Sequence, residues 1–140
     1  MADTSLTYIR LALLIAVTSA MRIVLSGIAN VEPVTIMTVI SAVSFGPLTG
    51  ALVGALSTVL ADIYALGFGI WSLFTSSAFF FIGIGAGLLS RHLKSRMGLT
   101  LFSVFATVFF DIYTTISTVL ITGAPFHVAL INGIPFYSIH

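Results

Sequence analysis

The stretch LTYIRLALLIAVTSAMRIVLSGI, residues 6–28, holds only two charged side chains, Arg10 and Arg22. An apolar run of about 20 residues is what a helix needs to cross a hydrocarbon core of about 30 Å. Runs of this kind recur along the chain. Of 140 residues, 59% are hydrophobic and 6% are charged, against about 25% charged in soluble domains. The reading is an all-α integral membrane protein that crosses the bilayer several times. Five Lys or Arg against four Asp or Glu leave no basic surface for nucleic acid. With no cysteine, disulfides and thiolate chemistry are excluded. Arg10 followed by LALLIAV resembles a signal peptide, but the apolar stretch runs on to Ile28 and further spans follow it.

Outward from that first helix, the chain is punctuated by NVEPVT (30–35). Pro33 disfavours helix at Glu32 and is placed to begin the next one. The spacing predicts helices over about 6–28, 34–45, 48–63, 71–90 and 99–121, with the start of a sixth at about 135. The second is short for a crossing and ends at Gly46-Pro47. The loop YALGFG (64–69) follows the third, and RHLKSR (91–96) precedes the fifth. After TGAPFHVALING (122–133), Pro135 opens a helix that the chain barely enters, so the expectation is a C-terminal truncation.

Arg91, Lys94 and Arg96 share one connection, which the positive-inside rule assigns to the cytoplasm. Full crossings then place the N-terminus with Arg10 on the same side. The opposite connections hold Glu32, Asp62 and His127, with no Lys or Arg among them.

Ala12, Ala16 and Ala20 recur every four residues and form a smooth ridge that lets another backbone approach closely. Gly50 and Gly54, with Gly83, Gly85 and Gly87, thin the third and fourth helices, and packing within the bundle accounts for such patterns. Ionisable groups within the spans cost about 2.5–3.5 kcal/mol each on insertion scales, so each needs a partner or a purpose. Here they are Arg22, Asp62 and Asp111, with His140 if a sixth helix follows. One reading is an Arg22–Asp62 or Arg22–Asp111 pair that fixes helix register; the other is a polar pocket in the outer half of the bundle. The outward junctions favour the pocket. They bring Asn30 and Glu32, then Tyr64 and Trp71, then His127 and Asn132, while Tyr113, Tyr137 and His140 would point in from the fifth and sixth helices. Trp71 alone also fits an interfacial belt. The expected substrate site is therefore Asn30, Glu32, Asp62, Tyr64, Trp71, Asp111, Tyr113, His127, Asn132, Tyr137 and His140. No GxSxG, HExxH or Walker A pattern is present, so no catalysis, cofactor or metal is expected.

Taken together, NVEPVT, then SFGPLTGALVGALSTVLADI (44–63), then GIWSLFTS (69–76), resemble the S components of energy-coupling factor (ECF) transporters. The late stretch GAPFHVALINGIPFYSIH (123–140) is similar to the end of such a chain before its last helix. The resemblance implies a six-helix bundle, here with the sixth helix largely missing, that binds a vitamin or related micronutrient from outside. It implies as partners a transmembrane coupling subunit and two ATPases, with Ala12, Ala16 and Ala20 facing the coupling subunit. It also implies that the outer loops cover the ligand. The N-terminus lacks the histidine of nickel and cobalt members, which argues against a metal substrate. Riboflavin-like, thiamine-like, pterin and queuine-like molecules fit equally. The alternative is a stand-alone helical membrane protein, an oligomeric transporter or scaffold, without an ATPase partner.

Overall fold

The computed structural model describes residues 2–28, 31–123 and 125–128, with side chains from Ser5 onward. Asn30, Asn132, Tyr137, His140 and the expected sixth helix lie outside the described residues. Among the described residues, five α-helices follow in order: α1 (Ala2–Leu25), α2 (Pro33–Phe45), α3 (Pro47–Ala61), α4 (Ile70–Leu88) and α5 (Arg96–Thr122). Four apolar helical stretches, Ser5–Leu25, Pro47–Leu66, Ile70–Leu88 and Arg96–Thr122, are long enough to cross a membrane, and Pro33–Phe45 is shorter. The third of the expected spans continues beyond Ala61 as a π-turn, Asp62–Leu66, so the connection to α4 is only residues 67–69.

Local chemistry sets the helix ends. Pro33 and Pro47 stand in the first turns of α2 and α3, where their missing N–H groups lose nothing. Glu32 caps α2 by accepting a hydrogen bond from the Val34 N–H at 3.2 Å. Gly46 alone separates α2 from α3, at φ 100°, a conformation in which a side chain would be strained. Ser95 caps α5 by accepting from the Gly98 N–H at 3.0 Å. Gly123 closes α5 in the left-handed region, donating to the Val119 carbonyl at 2.9 Å.

The centre is α3, packed against α1, α2 and α4, while α4 also meets α2 and α5. Small residues create these close approaches. Gly50 lies on Ala42 and Gly54 on Thr38 and Phe79. Gly83 lies on the backbone of Gly50 and Ala51, and Gly87 on Pro47. Packing within the bundle therefore accounts for these four, whereas a Cβ at Gly85 would make only ordinary contact with Phe102, at 3.7 Å. The apolar core comprises Val34, Val39, Ala42, Ala78, Phe79, Ile82, Ala86, Leu93, Phe102, Ala106 and Phe110. Phe79 of α4 stacks on Phe110 of α5 with ring centres 4.8 Å apart.

These contacts fix the directions of the helices. Residues 42 and 38 meet 50 and 54, and 87, 83 and 79 meet 47, 50 and 54, so α2, α3 and α4 alternate. Contacts of Gly85 with Phe102, Phe79 with Phe110 and Ser77 with Tyr113 make α5 antiparallel to α4. Ser19 meets Ser57 and Arg22 meets Asp62, so α1 runs parallel to α3. One end of the bundle thus carries the α1–α2 junction, the π-turn, the start of α4 and the end of α5. The opposite end carries Gly46-Pro47 and the basic turn between α4 and α5.

Candidate functional site

The first of these ends gathers the charges. The Arg22 guanidinium, in the last turn of α1, donates through Nη1 to Glu32 Oε2 at 3.1 Å and through Nη2 to Asp62 Oδ1 at 3.5 Å. The three side chains are 14%, 21% and 4% exposed, respectively. Glu32 therefore does two jobs with its two oxygens: Oε1 caps α2 and Oε2 holds α1. Asp62 opens the π-turn, a helical form that occurs mostly as single turns within α-helices, frequently at functional sites. One turn deeper, the Ser19 hydroxyl reaches the Ser57 carbonyl at 3.1 Å and the Ile15 carbonyl at 2.8 Å. The cluster holds two carboxylates and one guanidinium, a formal charge of minus one at the rim of an apolar bundle. Taking such ions out of water costs several kcal/mol each, which their mutual attraction has to offset.

Of the sequence-expected residues, Glu32 and Asp62 are brought together, and by Arg22, which the expected site omitted. Tyr64 and Trp71 lie at the same end, 78% and 56% exposed; the Trp71 indole folds back over Gly69. His127 is exposed beyond the end of α5. Tyr113 is half-buried between Phe81 and Phe109, with ring centres at 6.3 and 5.7 Å. Its hydroxyl shares a 2.9 Å hydrogen bond with Ser77 of α4, another partner absent from the expected site. Asp111 is buried in α5, and its backbone carbonyl accepts from the Thr115 hydroxyl at 2.8 Å and the Thr114 hydroxyl at 3.2 Å.

The outer surface of α1 carries small side chains among apolar ones. Thr18 and Ser19 are buried, but Ala12, Ala16 and Ala20 are exposed, along with Leu13, Val17 and Val24.

Against this geometry, residues 2–137 match the family model described as ECF-type riboflavin transporter, S component. The chain is an ECF-type S component. No curated protein and no solved structure matches it. S components are the substrate-binding membrane subunits of importers, and they are not enzymes. The family implies a small-molecule substrate and ECF module partners, and it agrees with the multi-pass architecture of apolar helices. For this S component, the charged rim and the bare face of α1 are the two features that carry further functional argument.

Proposed function

We propose that this S component captures riboflavin outside the cell membrane and delivers it inward with an ATP-driven coupling module. The observation that carries this reading is the match of residues 2–137 to the riboflavin S-component family. Riboflavin joins a flat ring system to a polyol chain, and the end of the bundle holding Glu32, Asp62, Tyr64 and Trp71 offers carboxylates beside aromatic rings. Asp111, Tyr113 and His127, with Asn30, Asn132, Tyr137 and His140, are assigned to the same site. The basic turn with Arg91, Lys94 and Arg96 is cytoplasmic in this reading, as is the N-terminus.

The partners are a transmembrane coupling subunit and two ATPases. Ala12, Ala16 and Ala20 face the coupling subunit; an exposed ridge of small side chains on a spanning helix supports that contact, because it admits a second helix at short distance. The S component closes its outer loops on the ligand and reorients against the coupling subunit, driven by ATP hydrolysed there.

The test is riboflavin titration of the protein purified in mild detergent, followed by quenching of flavin fluorescence, with native mass spectrometry of the same sample. Quenching at one flavin per chain and retention of the ATPase module are expected. A bare homo-oligomer that quenches no flavin would refute the proposal.

A further inference from the structure

Two atoms of the Arg22 cluster are left over. Nη1 and Nη2 of Arg22 are occupied, but its Nε–H is buried with no hydrogen-bond partner among the described residues. Oδ1 of Asp62 is occupied, but Oδ2 is likewise buried and unpartnered, on a side chain only 4% exposed. A buried polar group without a partner costs about 1–3 kcal/mol, more when charged, so a pair of them in one cluster calls for an explanation. One is a donor and the other an acceptor, so a single group that accepts from the first and donates to the second would satisfy both. Glu32 is the most exposed member of the cluster, so the cluster opens on the side where Glu32 lies.

We propose that Arg22 Nε and Asp62 Oδ2 recognise a cyclic imide edge, an N–H flanked by carbonyls, at the end of the ligand ring. This rests on the riboflavin reading above, since the isoalloxazine ring presents such an edge through its N3–H and neighbouring carbonyls. An imide holds its donor and acceptor side by side in one rigid plane, as a guanidinium beside a carboxylate requires. The N3–H donates to Asp62 Oδ2, and an adjoining carbonyl accepts from Arg22 Nε–H. Arg22 thereby becomes a ligand contact as well as a clasp, and Asp62 reads the hydrogen on N3. A flat aromatic lacking an imide N–H is discriminated against at this point.

The test compares riboflavin with N3-methylriboflavin, on the full chain and on Asp62→Asn, by fluorescence titration in lipid nanodiscs. In the unaltered protein the methyl derivative is expected to bind about ten- to a hundredfold more weakly, the range for losing a hydrogen bond to a charged acceptor. Asp62→Asn is nearly isosteric and places an amide N–H where an acceptor is needed. It should weaken riboflavin by a similar factor and bring the two flavins to within about threefold of each other. Equal binding of both flavins by the unaltered protein overturns the imide subsite while leaving the riboflavin reading standing. Discrimination that persists undiminished in Asp62→Asn does the same, because bulk at N3 and not the carboxylate is then being sensed. Failure of the unaltered protein to bind either flavin overturns the riboflavin reading, and this one with it. The comparison within the unaltered protein needs no variant to fold, and gel filtration of Asp62→Asn checks its integrity.

Discussion

Replacing Gly83 by alanine tests how closely α3 and α4 are pressed together. A Cβ at residue 83 would meet the Ala51 backbone nitrogen, and would lie 2.5 Å from the Gly50 carbonyl carbon and 2.6 Å from Ala51 Cα. Ordinary carbon contacts are about 3.5–4.0 Å, so the helices must part by about 1 Å. The obstructing atoms are backbone and cannot swing aside. Parting the helices also loosens Ala78, Phe79, Ile82 and Ala86, which fill the same seam. Overpacking typically costs about 1–3 kcal/mol, and a backbone obstacle puts Gly83→Ala near the top of that range. For a chain of this size, about 3 kcal/mol corresponds to a fall in melting temperature of about 10 °C. Gly85→Ala is the matched control, two residues along the same helix, where the new Cβ would rest 3.7 Å from the Phe102 ring. It should be neutral or slightly stabilising, since alanine is the better helix former. Size-exclusion chromatography after heating in detergent suits a cysteine-free chain, because thiol-reactive dyes have nothing to report on. If the two variants melt together, whether with the parent or below it, the close-approach argument is wrong.

Other outcomes follow from the same geometry. Arg22→Gln leaves the Glu32 and Asp62 carboxylates without their cation and should cost about 3 kcal/mol, with Arg22→Lys recovering part; heat stability in detergent reads both. Ala16→Leu should abolish flavin uptake into proteoliposomes holding the whole importer while leaving flavin affinity within about twofold, as expected of a close-packed helix face. Loss of affinity in that variant would count against the α1 interface. Glu32→Gln and Asp111→Asn should each weaken flavin binding, and unchanged affinity in both would remove them from the site. Tyr113→Phe loses the bond to Ser77 and should lower stability by about 1 kcal/mol, again measured by heat stability.

Much of the helix order was legible because apolar runs and prolines are local signals. Pro33 and Pro47 open α2 and α3, where fixed φ and a missing N–H do no harm. The glycines of the third and fourth helices announced close packing, though spacing alone did not separate Gly85 from Gly83 and Gly87. Partner choice was less legible. Arg22 had Asp62 and Asp111 as candidate partners, and the parallel run of α1 beside α3 brings Asp62 to it. Likewise, nothing near Tyr113 in sequence points to Ser77, which lies on a different helix. The π-turn was hidden for another reason: DIYAL carries no glycine or proline to mark where the hydrogen-bond register widens, so the rod extends through residues that read as a loop. The assignment of the remaining site residues rests on their chemistry.

The single-residue link at Gly46 has a mechanical consequence. With one residue between them, α2 and α3 have no slack to slide past each other, and Gly50 and Gly54 lock them side by side. Gly83 and Gly87 lock α4 to the same unit. Three of the helices thus form a stiff plate, whereas α1 is joined to it by the residues around Ser19 and Arg22 near one end, and α5 by a face of aromatic rings. Motion during a transport cycle is therefore to be sought in the angle of α1 and α5 to that plate, not within it.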